Sequence, residues 1–529
     1  MDFSKLTLRE KVAQTVVCLH TGKDSPFVNE PIGGVFMGAQ VITEVKDDDG
    51  IAVMRENAER YLKNSKIPPL FFSDFECGCG GYIKGLTNLP LLMGLGAAND
   101  EQMAYDYGKA TALEGTCAGI TAAFTPVCDI NYNFRNPLVN VRSVSDDPDR
   151  MLPLVKNIIK GMQDNGLAAT AKHFPGDGVD WRDQHIITTE NSMDMDKWWE
   201  TYGRVYKELI AEGVEMVMPG HITLPAYQKE RKNGFPLPAT LSRELLTDLL
   251  KGELGFKGVV VSDAAMMGGF NGYYENQTKT QVECFKAGCD FVLWPTNDYI
   301  DAVVAEIESG EIPMSRLEDA LIRIGNLKDK YCIKLNNLPS LTAEKTEFAR
   351  QTAERIAEAS ITLVKNKVDL LPLKKPIKKV LLVSLCNHNA GLEAVTAMES
   401  SLKARGVEVV HYKQARPSDE EFDKHASDSD LILYALYTRS FRPVGPIDIW
   451  DDKCWAIAKS HFHSLEKSVY VSFGSPYFAN QYFERANTYV NAYSMMPVAV
   501  EAFVKAMFGE IDFSSSSPVN LELPKPNLF

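Results

Sequence analysis

Two rhythms alternate along the chain: short apolar runs rich in β-branched and aromatic residues, and longer stretches whose apolar positions recur at three- and four-residue spacing. The first rhythm marks buried strands, and the second marks helices with one apolar face. The pattern predicts a helix over 6–19 capped by Ser4 or Thr7, a strand over 32–37, a helix over 51–63 and a strand over 69–74. A helix over 100–116 follows, then a strand over 122–126 that opens into Asp129-Ile130-Asn131, a helix over 150–165 and a strand that runs out at Lys172-His173. Next come a helix over 197–212, a strand over 214–218 ending at Pro219-Gly220-His221, and a helix over 242–254. The run 258–263 is too short for a helix and closes on Asp263. A helix over 281–287, a strand over 289–294 and helices over 298–309 and 315–328 complete this part of the chain.

Seven or eight strand–helix units therefore precede residue 340. Such alternation is satisfied by a parallel sheet covered with helices, either doubly wound or closed. Polar residues stand at many strand ends (Asp74, Lys172, His173, His221, Asp263). A closed barrel gathers every strand end at one mouth, whereas an open sheet concentrates its site at a switch point, so the spread favours the barrel. The expected fold class is α/β, with a (β/α)8 TIM-type barrel over 1–335. Segment 336–375 is read as a linker, with Asn336-Asn337-Leu338-Pro339, plus a connecting helix over 343–358. Strands over 379–385, 407–412, 431–437, 468–472 and 488–492, with helices over 391–404 and 498–508, predict a smaller α/β sandwich domain over 376–529. Its expected role is structural, covering an edge of the first domain or the mouth of its site.

Composition changes this picture little. At 529 residues, 45% hydrophobic and 24% charged, the chain has ordinary globular proportions. The net charge of −14 argues against nucleic acid or an anionic membrane as the main partner. The start, Met1-Asp2-Phe3-Ser4-Lys5-Leu6, has neither the basic region nor the apolar core of a secretory signal, and no apolar run approaches the ~20 residues of a membrane span, so a cytoplasmic location is expected. The ten cysteines show no disulfide framework. Cys77 and Cys79 lack a second pair at zinc spacing, so neither a metal nor a cofactor is expected.

The candidate chemistry gathers at Lys172-His173-Phe174-Pro175-Gly176-Asp177-Gly178. Proline and glycines forbid regular structure there and predict a mobile loop. That loop carries Asp183 and His185, spaced so that the carboxylate can orient the imidazole. A carboxylate at a strand end and an Asp-His pair on a nearby loop suit a retaining glycosidase: Asp263 would attack the sugar, while His185 would protonate the leaving oxygen and later recover the proton. His221, at another strand end, reads equally well as a sugar ligand or as a satisfied core histidine.

Lys-His-Phe-Pro-Gly followed by Asp-X-His, the Arg142-Ser143 loop after Asn136-Pro137, and Val261-Ser262-Asp263-Ala264-Ala265-Met266-Met267 together resemble glycoside hydrolase family 3, in particular its β-N-acetylglucosaminidases. Ser360 to Asn366, running on to Leu370-Leu371-Pro372-Leu373, resembles the beginning of that family's second domain. The resemblance implies a nucleophile at Asp263, acid/base His185 with Asp183, and sugar ligands at Asp74, Arg142, Lys172 and His173. It also implies a small carbohydrate substrate. Asp177 stands where the family usually has histidine, implying altered loop packing with catalysis retained. The family's Asp-X-Glu-Gly-Gly-Arg pattern is broken at Asp74-Phe75-Glu76-Cys77-Gly78-Cys79, which leaves muropeptides, chitobiose and glycoconjugate fragments open as substrates. The implied activity is exo-acting release of N-acetylglucosamine. Phosphorolysis, β-glucosidase activity and a silent carbohydrate-binding protein are the alternatives.

Overall fold

Thr7 starts the first helix: its hydroxyl accepts the Glu10 N–H, and the Glu10 carboxylate accepts the Thr7 N–H in return. In the computed structural model, which describes residues 1–522 except 23–24, 26, 39–48, 64, 333–337, 387–391, 414–417 and 439–463, that helix covers only Leu8–Ala13. The chain then extends as strand β1 (Val16–Leu19). The last four residues of the helix expected over 6–19 are thus strand. Val16 and Val17 are both fully buried, and burial on both faces marks a central parallel strand.

The chain forms two compact units: one of 1–88, 104–130 and 152–350, the other of 89–103, 131–151 and 351–529. In the first unit, β1 is followed by β2 (Gly34–Phe36), β3 (Leu70–Ser73), β4 (Ala122–Ala123), β5 (Thr170–Phe174), β6 (Thr189–Glu190), β7 (Met216–Pro219), β8 (Ile222–Thr223), β9 (Val259–Val260) and β10 (Val292–Leu293). A five-stranded sheet runs β10-β1-β2-β3-β4 and a three-stranded one β5-β7-β9, all parallel. The bridges Ala122↔Ala168 and Val261↔Phe291 join the two sheets at both ends and close the ring. Phe291, Phe72, Phe124, Phe36 and Trp294 form a continuous aromatic column, with successive ring centroids 5.1–5.8 Å apart, which fills the barrel as a packed core.

Helices follow the strands at Gly50–Leu62, Glu101–Cys117, Pro148–Gln163, Arg204–Ala211, Glu244–Glu253 and Gln277–Ala287, close to the predicted spans; Glu244–Glu253 is π-helical. Helix Leu92–Ala98 was not anticipated. The short pair β6–β8 is parallel, with Thr189 opposite Ile222, and anchors the far end of the loop that leaves β5.

The second unit is built on β11 (Thr362–Asn366), β12 (Lys379–Cys386), β13 (Glu408–Lys413), β14 (Leu431–Tyr437), β15 (Ser468–Ser472) and β16 (Thr488–Asn491). They are ordered β11-β16-β15-β14-β12-β13, and only β11 is antiparallel to its neighbour. Alternate residues feed two cores. Leu382 and Leu433 pack in one with helices Leu392–Ala404 and Pro497–Met507, while Leu381 and Ile432 pack in the other with helices Asp419–Asp428 and Phe478–Gln481. This is the expected α/β sandwich. β11 falls within the span expected to be a connector, because strand pairing with β16 recruits it to the sheet edge. The predicted linker motif at Asn336-Asn337 lies outside the described residues.

Segments 89–103 and 131–151 belong to this second unit although their sequence lies inside the first. Arg150 donates to the carbonyls of Gly96 and Ser517 at 2.9 and 3.1 Å, Ser145 Oγ donates to Pro518 O at 2.5 Å, and Asn140 Nδ2 donates to Ser475 Oγ at 3.3 Å.

Candidate active site

Parallel strands deliver their last residues to one rim, so consecutive residues at the end of β5 reach different neighbours. Lys172 and His173, joined by a cis peptide bond, divide the work. The Lys172 ammonium lies 2.5 Å from Glu76 Oε1 and 3.9 Å from Asp74 Oδ1. Lys172 is buried, whereas the Asp74 side chain is 37% exposed and the more available of the two carboxylates. His173 Nδ1 bonds Asp129 Oδ2 at 2.7 Å, and its Nε2 faces Asp263 Oδ2 at 3.9 Å. Asp129 Oδ1 also accepts the backbone N–H groups of His173 and Asp177, at 3.1 and 2.8 Å. A fully buried carboxylate is tolerated here because these donors replace its water.

Asp263 follows β9, and its Oδ1 accepts the Ala264 N–H at 2.7 Å. Burial alone would raise its carboxyl. His173, His221 and His185 around it, with the Ala264 N–H, outweigh burial and hold it below the ordinary carboxylate range. An ionised carboxylate ringed by three imidazoles has the chemistry to act as a nucleophile.

The segment after β5, expected to be a mobile loop, is tied down along its first half. Trp198 Nε1 donates to Pro175 O at 2.9 Å, Asn191 Nδ2 to Gly176 O at 3.1 Å, and the Tyr202 hydroxyl to Asp177 O. Gly178, at φ +102°, lies so close to Ile130 O that a Cβ would stand 2.0 Å from it. Farther on, His185 Nδ1 bonds Asp183 Oδ1 at 2.8 Å, and the same oxygen accepts the His185 N–H at 2.8 Å. An acceptor-only partner fixes the proton on Nδ1, leaving Nε2 of the partly exposed ring for a ligand. The His185 carbonyl accepts the Gly268 N–H at 2.7 Å, which ties the pair to the segment that follows Asp263.

His221, which the sequence leaves open as a sugar ligand or a satisfied core histidine, has the surroundings of the latter. It has no exposed surface, Thr240 Oγ1 lies 2.9 Å from Nδ1, and Ala264 O lies 3.2 Å from Nε2. Both nitrogens are engaged inside the protein, and burial pushes its pKa down to about 4. It buttresses the residue after Asp263 as a neutral ring.

Asp74, Lys172, His173, Asp183, His185 and Asp263 all lie in the first unit. Arg142 belongs to the second, in the turn Asn140–Arg142, where its guanidinium donates to Leu138 O at 3.2 Å. Glu76 and Asp129 were not singled out from the sequence. Glu76 is part of the Asp-Phe-Glu run after β3, and Asp129 is the first acidic residue after β4, so a carboxylate just past a barrel strand was the available signal. Cys77 and Cys79 are both buried, and burial raises the Cys79 thiol well above its usual range, as for a small hydrophobe.

Residues 7–327 match the glycosyl hydrolase family 3 N terminal domain. The chain is 32% identical, over 97% of its length and 93% of the relative's, to a beta-N-acetylglucosaminidase/beta-glucosidase of Cellulomonas fimi. It is 29% identical, over 66% of its length and 62% of the relative's, to beta-hexosaminidase A of Pseudoalteromonas piscicida. Among solved structures, a beta-glucoside phosphorylase superposes with a TM-score of 0.86 at 27% identity, covering 98% of this chain and 94% of the other. A glycoside hydrolase family 3 beta-N-acetylglucosaminidase from Paenibacillus sp. str. FPU-7 superposes at 0.82 with 26% identity, covering 98% and 100%. A match spanning the whole barrel, joined to identity that continues through the sandwich, makes this chain a member of glycosyl hydrolase family 3.

Proposed function

We propose that the protein is a retaining exo-β-N-acetylglucosaminidase that releases terminal N-acetylglucosamine from glycan or muropeptide fragments. Asp263 attacks the anomeric carbon and forms a glycosyl ester as the bond to the leaving oxygen breaks. The Nε2 proton of the His185 imidazolium goes to that oxygen, and the neutral ring then takes a proton from the water that cleaves the ester. Asp183 keeps the imidazole in one tautomer and stabilises its cationic form. Asp74, Lys172 and His173 are assigned to the sugar hydroxyls, as is Arg142. The observation that carries this reading is the Asp183–His185 pair at 2.8 Å, on a loop bonded at His185 O to Gly268 in the segment after Asp263. The names of the curated relatives support N-acetylglucosamine as the sugar.

Phosphorolysis is the second reading, favoured by the likeness to a beta-glucoside phosphorylase. A neutral imidazole would not repel a phosphate dianion attacking the glycosyl ester, whereas a carboxylate base would. Aryl N-acetylglucosaminide and aryl glucoside, each assayed with and without inorganic phosphate, separate the possibilities. Free N-acetylglucosamine independent of phosphate is the expected product. Glycosyl phosphate as the sole product would replace hydrolysis, and preference for the glucoside would replace the sugar. A cytoplasmic location belongs to the same proposal; it is supported by the nine described cysteines being free, as a reducing compartment keeps them.

A further inference from the structure

Between Asp183 and His185 stands Gln184, a fully buried amide in a loop. Its Nε2 donates to Asp177 Oδ2 at 3.1 Å, and its Oε1 accepts the His221 N–H at 2.8 Å. Its backbone carbonyl accepts the Gly269 N–H at 3.2 Å. One residue thereby ties the loop to the exits of β5, β7 and β9. The two side-chain bonds have a fixed polarity, since a carboxylate can only accept and a backbone N–H can only donate. Asp177 is held in turn: it is buried, its Oδ1 accepts the Gly178 N–H at 2.6 Å, and its own N–H donates to Asp129, which also holds His173. The Gly268 side is equally tight, as a Cβ there would meet Ile186 O at 2.2 Å and His185 O at 3.0 Å. Thr188 Oγ1 donates to Gly269 O at 2.8 Å, closing the seam.

From this geometry we infer that Gln184, through its bond to Asp177, is the positioning residue of the acid/base: it sets the imidazole of His185 against the segment that carries Asp263. The inference rests on His185 being the acid/base of the proposed reaction. The departure at Asp177 thereby acquires a function. The carboxylate at this position is matched to an amide seven residues later, and each requires the other.

The test exchanges the polarity of the bond. Gln184→Glu sets two carboxylates against each other, whereas Asp177→Asn combined with Gln184→Glu restores one donor and one acceptor. In Gln184→Glu, kcat/KM on a glycoside with a poor leaving group, which needs protonation, is expected to fall about a hundredfold, the scale of a misplaced catalytic group. An aryl glycoside with an activated leaving group, whose departure needs no acid, should change much less, and the alkaline limb of the pH profile should move. The double variant should recover most of the loss on the poor leaving group, with the melting temperature recorded for every variant. Equal losses on both substrates, or a folded double variant no better than Gln184→Glu, would overturn the inference. If Gln184→Glu alone does not fold, the double variant decides by the ratio of its rates on the two substrates. A wild-type enzyme inactive on both would instead sink the glycosidase reading, and this inference with it.

Discussion

The two ends of the barrel each hold a cluster of buried charge, and the clusters differ in the cation chosen. Before β10, Asp290 Oδ1 pairs with the Lys251 ammonium at 2.8 Å and the Arg316 guanidinium at 3.1 Å, while its Oδ2 accepts the Val260 N–H at 2.9 Å. Asp319 joins Lys251 at 3.1 Å and Arg323 at 2.9 Å. These ammonium and guanidinium groups fasten helices Glu244–Glu253 and Met314–Tyr331 to the strand ends. At the mouth, Asp263 is set against imidazoles in place of lysine and arginine. Burial is severe at both ends. Ion pairs between helices and strands give a fixed joint, and imidazoles beside a carboxylate give a site suited to passing a proton.

Substitution at each end should therefore fail differently. Asp263→Ala should lower turnover by roughly 10^4-fold or more with the melting temperature little changed. His185→Ala should slow a poor leaving group by about 10^2–10^4-fold and an activated one far less. Steady-state assays on paired substrates and thermal unfolding check both, and equal slowing of the two substrates would remove His185 from the acid role. Asp290→Ala should do the reverse: it leaves Lys251 and Arg316 with Asp319, a half-exposed carboxylate, as their counter-charge, and should cost about 3 kcal/mol in denaturant unfolding while the folded fraction keeps its rate constants. A loss of turnover with unchanged stability there would erase the distinction between the two ends.

The smallest expected effect is the pH response. His221 titrates at about 4 in the fold against an ordinary value of about 6.5, so between these values the unfolded chain binds the proton and the native one does not. Its contribution is complete above about pH 6.5 and is lost as pH falls toward 4, on the order of 3 kcal/mol in all. Asp263, depressed below its ordinary range, adds a loss only at still lower pH. Urea melts at several pH values should show the first decline, and His221→Asn should flatten it.

Local relations were legible in the sequence. The Thr7–Glu10 capping box and the Asp183–His185 pair each form within a few residues. The burial of β12 and β14 on both faces follows from continuous apolar runs. What escaped depends on distant partners. Val16–Leu19 continued an apolar spacing that also fits a helix, and only pairing with β2 and β10 makes it a strand. Asp129 acquires meaning from His173, 44 residues away, and Glu76 from Lys172. Helix Asp419–Asp428 carries so many acidic and polar residues that its two buried positions, Phe422 and Ala426, gave no visible stripe. Arg142 was legible as a residue type, but its membership in the second unit was not.

That membership has a consequence for how the chain comes to be folded. Segments 89–103 and 131–151 leave the ribosome early, yet the rest of the unit they pack in is spelled out only from residue 351. Their packing partners in that unit are made last, so the two units are expected to mature together rather than one after the other. A truncation after residue 350 would leave both stretches without the partners they have in the full chain.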